Sequence, residues 1–331
     1  MSRSTLKIAF HGSNAANFRS GFETLLQPGH QLVNLSDNLN LPGELAHFES
    51  ADVLVGIRLD AQLPRPLRAR LYHAPAAGTD GIDPFRLPAG CVLCNCYGHE
   101  NAIAEYVLAA MLQRHVPLAQ ADADLRRGRW TYWAGRPTAL RSELGARTLG
   151  LLGYGHIAKA IAVRAKAFGM RVHVANRSAV CSPLVDHAYA LRELTDFMGS
   201  ADTVVVSLPL TNDTRGLVDA SALAAMRSDG VLINVGRGPV VEEQALHDAL
   251  RLRRIGGAVI DTWYQYPSAG LPECAPSKLD FAALDNVTLT PHMSGWTEGM
   301  ILRRQQTMAD NIARLETGQP LENVVLSADV R

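Results

Sequence analysis

Apolar and polar positions along this chain follow two alternating periods. Short apolar runs such as LKIAFHG, ADVLVGIR and ARLYHAP are typical of buried strands. Between them, apolar residues recur every three or four positions, which predicts helices in NFRSGFETLL and in ENAIAEYVLAAMLQRH, where Pro117 should end or kink the second helix. Strands that alternate with helices predict a parallel sheet covered by helices.

A second alternating series starts at RTLGLLGYG and extends to TLTPH. Its six predicted strands are TLGLLG, RVHVAN, TVVVSLP, GVLINVG, GGAVID and NVTLTPH. Helical segments such as HIAKAIAVRAKAFG and EEQALHDALR separate most of them, and this arrangement predicts a Rossmann-type doubly wound parallel sheet. The chain then continues into a last helical segment, EGMILRRQQTMADNIARLETG, followed by LENVV.

The composition fits two folded domains without strong surface charge. The chain has 331 residues, of which 47% are hydrophobic and 19% charged, so it can bury a large core. Lys plus Arg and Asp plus Glu both number 32, so no long-range field attracts nucleic acid or an anionic membrane. The N-terminal MSRSTLKIAFHG lacks the apolar core of a secretion signal. We therefore expect a cytoplasmic protein with no nucleic-acid or membrane partner.

The five cysteines do not indicate a disulfide framework. Cys91, Cys94 and Cys96 lie close together in GCVLCNCYG, an apolar run that predicts a strand entering a loop. No second pair of His or Cys residues follows at the spacing of metal ligands. We predict buried free thiols and no metal site.

The segment LGLLGYGHIAKAIAVRAKAFG combines an apolar strand, a turn of small residues and an amphipathic helix. Gly153 and Gly155 occupy the first two positions of a dinucleotide fingerprint, and Ala158 takes the third. Gly153 allows the turn, Gly155 lets the backbone approach a pyrophosphate, and Ala158 lets the helix pack close to the strand. The helix offers its N-terminal amides to the anion. The cofactor-binding residues predicted in this turn are Gly153, Tyr154, Gly155, His156 and Ile157.

The end of the next strand indicates which dinucleotide is preferred. An Asp or Glu usually stands there and bonds the adenosine ribose, but VHVANRS has Asn176, followed by Arg177 and Ser178. An uncharged residue removes repulsion against a 2′-phosphate, and an adjacent Arg can pair with it. We therefore expect these three residues to favour NADP over NAD. A solvated Arg177 beside a relaxed NAD site is the alternative.

The stretch VVVSLPLTNDTRGLVDASALAAMRSDGVLINVGRGPVVEEQALHDAL resembles the D-isomer-specific 2-hydroxyacid dehydrogenases, which include glyoxylate/hydroxypyruvate reductases. The resemblance also covers HAPAAGTDGIDPFRLPAGCVLCNCYGHENAIAEYV, TPHMSGWT and LENVV. It implies a homodimer in which NADP(H) or NAD(H) exchanges a hydride with a small 2-oxo or 2-hydroxy acid. It further implies a Rossmann-type dinucleotide-binding domain at 99–292, and a smaller flavodoxin-like α/β substrate domain formed by 1–98 and 293–331.

Two residues match the catalytic pair of that family. Arg237, in NVGRG, matches the arginine that binds the substrate carboxylate and polarises the carbonyl. A guanidinium suits this role because it stays charged and forms a fork with a carboxylate. His292, in TPHMSG, matches the proton donor and acceptor, and an imidazole titrates in the useful range.

The third member of the family's catalytic set is replaced in this chain. The family has a Glu whose carboxylate orients the histidine and raises its pKa. Here DTWYQYP places Tyr266 at that position. A phenol can hydrogen-bond an imidazole but carries no charge near neutral pH. We therefore include Tyr266 in the catalytic set and expect the pKa of His292 to be less elevated than in relatives that have the Glu.

The resemblance implies further contacts to substrate and cofactor. The loop AAGTD matches one whose amides bind the substrate carboxylate, and His99 replaces the usual Asn. The WTYW segment, with Trp130 and Trp133, resembles one that reaches the partner's site in some reductases, although buried packing is equally consistent. The substrate-binding residues implied are Arg58, Ala77, Gly78 and His99. The further cofactor-binding residues implied are Pro209, Thr214, Val235 and Asp261.

Two alternative functions are consistent with the same residues. Formate dehydrogenases, more distant members of the family, also replace the Glu and need no proton shuttle, although the Asn of their substrate site is His99 here. A dinucleotide-sensing binding protein of the same fold is the second alternative, because such proteins can retain Arg237 and His292. Turnover of substrate distinguishes an enzyme from a sensor.

Overall fold

The computed structural model describes residues 5–137, 140–267 and 271–327. The strands are β1 Lys7–His11, β2 Gln31–Leu35, β3 Val53–Val55, β4 Leu71–His73, β5 Val92–Cys94, β6 Thr148–Leu152, β7 Arg171–Asn176, β8 His187–Ala190, β9 Thr203–Val206, β10 Val231–Asn234, β11 Gly257–Ile260, β12 Val287–Leu289 and β13 Val324–Leu326. The α-helices are α1 Gly12–Ala16, α2 Glu44–Ser50, α3 Glu100–His115, α4 Leu118–Leu125, α5 His156–Ala167, α6 Leu194–Gly199, α7 Ala220–Ala225, α8 Glu243–Arg251 and α9 Glu298–Thr317.

The chain divides into two compact units, one formed by Met1–Gly98 with Thr297–Arg331 and the other by His99–Trp296. The sheet of the first unit has the order β13-β5-β4-β3-β1-β2, and its strands are parallel except for β13, which pairs antiparallel with β5. The order 2-1-3-4-5 within it is that of flavodoxin-like folds. The α/β fold class expected for this unit is confirmed.

One predicted helix of the first unit is wrong. NFRSGFETLL forms only a 3-10 turn at Phe22–Leu25, and the α-helix lies earlier, in α1. Gly21 has a φ of 73°, in the left-handed region, and this conformation interrupts the helical run. Phe18 and Phe22 are fully buried, so their helix-like spacing reflects the anchoring of an irregular segment to the core.

A buried histidine joins the sheet of the first unit to α9. Asn311 donates from Nδ2 to His73 Nε2 at 2.9 Å, and Cys96 Sγ lies 3.8 Å from His73 Nδ1. Burial lowers the pKa of His73 to about 4 and raises the pKa of the Cys96 thiol to about 12. This Cys–His–Asn arrangement is therefore neutral and structural, not nucleophilic. Cys91 and Cys94 are buried free thiols as well, which confirms the burial predicted for the three cysteines.

The second unit contains a parallel sheet in the order β12-β11-β10-β9-β6-β7-β8. The six predicted strands are present, and β8 is a seventh. The strands β6 to β11 have the order of a Rossmann-type sheet, and β12 is an additional edge strand. The sequence did not predict β8, because HAYA is a short, largely exposed edge strand without an apolar face. The helix α3 ends just before Pro117, as expected, and α4 starts after it.

Candidate active site

Five loops of the second unit follow the carboxyl ends of β6, β9, β10, β11 and β12, and therefore lie along one edge of its parallel sheet. The strands β6 and β9 are neighbours although β7 and β8 separate them in the sequence, so the strand order reverses at this point. Open α/β sheets bind ligands at the carboxyl ends of their strands, at such a switch point. The predicted catalytic and cofactor-binding residues lie on these loops, at the start of α5, or at the end of β7 and on the loop after it.

The loop after β6 has the geometry that a dinucleotide pyrophosphate requires. Gly153 has a φ of 93°, in the left-handed region, so a side chain there would be strained. A Cβ added to Gly155 would meet no atom within 4 Å, so open space lies over the backbone there. Ala158 is fully buried, and α5 begins at His156 with its N-terminal amides beside this space. The residues present therefore fit a dinucleotide.

The end of β7 borders a cavity of about 490 Å³, lined in part by Asn176, Tyr154 and Lys159. Asn176 Nδ2 donates to the Ser178 carbonyl at 3.0 Å, which folds the start of the following loop back on itself. Arg177 and Ser178 are exposed. The cavity therefore offers room and positive charge beside the position where NAD-binding folds usually have an acidic residue.

The loop after β9 is closed by its own hydrogen bonds. Thr214 Oγ1 donates to the Pro209 carbonyl at 2.7 Å and accepts from the Thr211 amide at 2.8 Å. Val235, by contrast, is only 4% exposed, and its side chain packs in the core between the sheet and the helices. For Pro209, Thr214 and Val235 the cofactor contact implied by the resemblance stays a prediction.

The loop after β10 holds Arg237 at the strand end. Buried Asn234 accepts from the Gly236 amide at 3.1 Å and donates to the Arg237 carbonyl at 3.2 Å. Arg237 Nη1 donates to the Gly236 carbonyl at 2.9 Å. A Cβ on Gly238 would lie 2.3 Å from the Trp263 carbonyl oxygen, so this close packing of two loops requires a glycine.

The loop after β12 carries His292 in an uncommon backbone conformation. His292 has a φ of 57°, which is rare for a residue other than glycine and is often found at functional sites. The fully buried carboxylate of Asp261 holds this turn: it accepts from Thr290 Oγ1 at 2.6 Å and from the amides of Met293 and Ser294 at 2.9 and 3.0 Å. Asp261 therefore organises the His292 turn in this structure, whereas the nicotinamide contact implied by the resemblance stays a prediction.

Two residues that the sequence analysis did not assign complete this support. The Thr290 hydroxyl donates to Asp261, so the Tyr106 hydroxyl, 2.7 Å away, is the donor to Thr290 Oγ1. Trp263 Nε1 donates to the Thr290 carbonyl at 2.8 Å. A Tyr in an apolar helix and a Trp after a strand give no signal of this role in one sequence, because each also fits ordinary core packing.

Tyr266 lies against His292, and its hydroxyl oxygen is 2.9 Å from His292 Nδ1. The Trp263 amide donates to the same oxygen at 3.0 Å. Loss of solvation lowers the pKa of His292; the Arg237 charge also lowers it, and the Asp261 carboxylate raises it. Burial raises the pKa of Tyr266, while the Trp263 amide and the Arg237 charge act in the opposite direction. Tyr266 and His292, two of the predicted catalytic residues, are thus in contact, and the charge of the third, Arg237, acts on both.

Within the first unit, the predicted substrate residues also lie beyond strand ends. Asn95 donates from Nδ2 to the Ala77 carbonyl at 2.7 Å, which fixes the loop after β4 that contains Ala77 and Gly78. Arg58, after β3, forms an ion pair with Asp60 and also donates to Gln62 Oε1 at 2.6 Å. The Arg58 guanidinium is thus paired with side chains of its own loop.

His99 belongs to the second unit, where it immediately precedes α3. A Cβ added to Gly295 would lie 3.3 Å from His99 Cβ, so His99 packs beside the turn that follows His292. The contact of His99 with substrate stays a prediction.

Comparisons with known proteins identify the family. Residues 108–294 match the family model described as D-isomer specific 2-hydroxyacid dehydrogenase, NAD binding domain. A glyoxylate reductase from Aeropyrum pernix is 32% identical over 292 residues, which cover 85% of this chain and 84% of that protein. The chain belongs to the D-isomer-specific 2-hydroxyacid dehydrogenase family. The resemblance stated from the sequence is confirmed, and with it membership in a family of nicotinamide-dependent oxidoreductases.

Solved structures agree with this assignment. A family member from Aeromonas salmonicida has a TM-score of 0.81 at 26% identity, covering 98% of this chain and 100% of that one. An NADPH-dependent glyoxylate/hydroxypyruvate reductase from Sinorhizobium meliloti, solved with NADP and malonate, has a TM-score of 0.76 at 25% identity, with 99% of each chain covered. The chain also matches D-3-phosphoglycerate dehydrogenases from Methanocaldococcus jannaschii and Archaeoglobus fulgidus, of which it spans about half the length. Among the described residues, no helix is long and apolar enough to cross a membrane.

The support of the His292 turn can be tested at Thr290. We expect Thr290→Val to lower the free energy of unfolding by about 1–3 kcal/mol, because it removes a donor from the buried Asp261 carboxylate and an acceptor from Tyr106. Thr290→Ser keeps the hydroxyl and is the matched control. Urea titration followed by circular dichroism measures both variants. An equal free energy of unfolding in Thr290→Val and the unchanged protein would show that the Thr290 hydroxyl does not stabilise the His292 turn.

Proposed function

We propose that this protein reduces a small 2-oxo acid, such as glyoxylate or hydroxypyruvate, with NADPH as the preferred cofactor and NADH as the second. The observation that carries the proposal is the arrangement at the carboxyl edge of the second sheet. Arg237 follows β10, and His292 follows β12. Trp263, after the intervening strand β11, contacts the loops of both strands, and Tyr266 contacts His292. A guanidinium and an imidazole are thus held near each other beside a dinucleotide fingerprint.

The side chains divide the chemistry between them. When bound, the nicotinamide cofactor supplies the hydride. Arg237 binds the carboxylate of the 2-oxo acid and polarises its carbonyl, which favours the developing negative charge on oxygen. His292 gives the proton that this oxygen needs. The contact of the Ala77–Gly78 amides with a substrate carboxylate, which the family resemblance implies, stays a prediction.

The preference for NADPH rests on charge at the end of β7. Asn176 presents no carboxylate, and the adjacent cavity is lined by Lys159. Arg177 is exposed beside it and is suited to pair with a 2′-phosphate. The related reductase from Sinorhizobium meliloti, solved with NADP, is consistent with this choice. The cytoplasmic location stays a prediction from the sequence.

The proposed activity is tested by turnover and by one substitution. We expect NADPH oxidation with glyoxylate or hydroxypyruvate. We expect Arg237→Gln to lower kcat/KM by about 100-fold, because it removes a charge-assisted contact of about 3 kcal/mol. Arg254→Gln, at an exposed arginine on another loop, is the control. Reduction of NADP⁺ by formate instead would support the formate-like alternative, and dinucleotide binding without any turnover would support a sensor.

The cofactor preference is tested at Arg177. We expect Arg177→Ala to weaken NADPH binding by about 1–3 kcal/mol and to leave NADH binding nearly unchanged, because only NADPH carries the 2′-phosphate. Arg192→Ala, at an exposed arginine beyond β8, is the matched control. Fluorescence titration with both cofactors measures the dissociation constants. Equal losses for NADPH and NADH would mean that Arg177 does not bind the 2′-phosphate.

We also propose that two copies of the chain form a homodimer through the segment around α4. The buried carboxylate of Asp124 accepts from Arg129 and from Thr131, so it organises the residues that follow the helix. This ordered segment nevertheless exposes large apolar side chains, and such a patch often marks an interface. The exposed residues are Leu118, Leu125, Trp130, Tyr132 and Trp133.

Sedimentation velocity tests the homodimer. At micromolar concentration we expect a dimer, and we expect Trp133→Ala to shift it toward monomer, because a large buried aromatic contributes strongly to an interface. Phe85→Ala, which removes an exposed aromatic in the first unit, is the control. A monomeric unchanged protein would contradict the proposed interface and any role of Trp133 in a partner's site.

A further inference from the structure

The hydrogen bonds of Tyr266 favour one direction for its contact with His292. The Trp263 backbone N–H is 3.0 Å from Tyr266 Oη, and an amide nitrogen can only donate, so the phenolic oxygen accepts this bond. The same oxygen lies 2.9 Å from His292 Nδ1, so we infer that the hydroxyl hydrogen is donated to this nitrogen. A ring nitrogen that accepts a hydrogen bond is unprotonated, so in a neutral imidazole the proton resides on Nε2.

A glutamate at position 266 would impose the opposite arrangement. A carboxylate only accepts, so it requires a proton on Nδ1 and favours the charged imidazolium. Tyr266 donates instead and leaves the ring neutral. The environment acts in the same direction, because loss of solvation and the Arg237 charge both lower the pKa of His292, against the opposing effect of Asp261. His292 is therefore a neutral imidazole near neutral pH, and not an imidazolium with a second ring proton.

We propose that Tyr266 and His292 form a two-proton relay in which Tyr266 is the proton donor to His292 Nδ1 while His292 Nε2 protonates the substrate oxygen. This inference rests on the proposed reduction of a 2-oxo acid. Once the carbonyl carbon has received the hydride, its oxygen is an alkoxide. The Nε2–H bond breaks as the substrate O–H bond forms, and the Tyr266 O–H bond breaks as Nδ1–H forms.

The relay leaves a neutral imidazole and a tyrosinate, which water reprotonates. Tyr266 is 47% exposed, so solvent reaches the residue that must be reprotonated. The Trp263 amide donates to the same oxygen, and the Arg237 charge favours the ionised phenol, although burial opposes ionisation. An alkoxide is more basic than a phenolate, so the overall proton transfer is favourable. Tyr266 thus acts as a proton source and also positions the ring.

The tautomer of His292 tests the inference without any turnover. In the free protein, labelled with ¹⁵N at histidine and assigned by the loss of one ring signal in His292→Gln, we expect an unprotonated Nδ1 and a protonated Nε2 from pH 7 to 9. Tyr266→Phe should weaken this preference to that of a histidine whose Nδ1 accepts no hydrogen bond from the protein. Tyr264→Phe is the matched control, because the Tyr264 hydroxyl donates to the Val241 carbonyl and not to the histidine. A proton on Nδ1 in the unchanged protein would overturn the relay.

Kinetics test the proton transfer itself. With glyoxylate and NADPH, we expect kcat/KM for reduction to stay level as pH rises from 6.5 to 9, because neither relay group loses its proton in that range. Because two protons move, the rate should depend quadratically on the deuterium fraction of the solvent. Tyr266→Phe should lower kcat by about 100-fold and make that dependence linear. An unchanged kcat in Tyr266→Phe, or a kcat/KM for reduction that falls as pH rises from 6.5 to 9, would overturn the relay while leaving the proposed reduction intact. Absence of turnover in the unchanged protein would contradict the proposed reduction, and the tautomer would still decide whether Tyr266 donates to His292.

Discussion

The buried carboxylate of Asp261 is the constraint on which the candidate active site depends. It accepts hydrogen bonds from Thr290 and from the amides of Met293 and Ser294. These three residues lie on both sides of His292 in the chain, and His292 has a left-handed backbone conformation. A non-glycine residue held in that region costs free energy, so the surrounding contacts must over-determine it. Loss of solvation lowers the pKa of His292, the Asp261 carboxylate opposes this effect, and the Arg237 charge adds to it. Asp261 therefore affects both the position and the charge of the imidazole.

Trp263 connects three parts of the candidate active site. Its carbonyl packs against Gly238 beside Arg237, its indole nitrogen donates to Thr290, and its amide donates to Tyr266. A single residue after β11 is thus in contact with the loops after β10 and β12. Because these contacts use backbone atoms and the indole N–H, they restrict the relative positions of the guanidinium, the phenol and the imidazole. Such restriction is what proton and hydride transfer require.

Much of this arrangement could be predicted from the sequence. The apolar runs predicted the strands of the second sheet because central parallel strands are buried on both faces, and the family motifs identified Arg237 and His292 at the ends of two of them. The edge strand β8 was not predicted because an exposed strand has no apolar pattern. The helix predicted in NFRSGFETLL was wrong because Phe18 and Phe22 have helical spacing, while the left-handed Gly21 between them interrupts the helical backbone.

The support of His292 could not be predicted in the same way. Thr290 and Tyr106 meet through side chains that are 184 positions apart, and no local pattern specifies such a pair. The support that Asp261 gives to the His292 turn could not be predicted either, because only the structure places the amides of the next loop against its carboxylate. The direction inferred for the Tyr266 hydrogen bond likewise rests on a third residue, Trp263, whose amide donates to the phenolic oxygen.

The most direct test of this account is the single-turnover rate of hydride transfer from NADPH to glyoxylate in Asp261→Asn, measured together with the NADPH dissociation constant. An amide of the same shape cannot accept all the hydrogen bonds that the carboxylate accepts, so the His292 turn loses its support. We predict a rate at least about 100-fold lower with NADPH binding nearly unchanged. An unchanged rate with weakened NADPH binding would contradict the account, because it would assign Asp261 to the cofactor and not to the histidine.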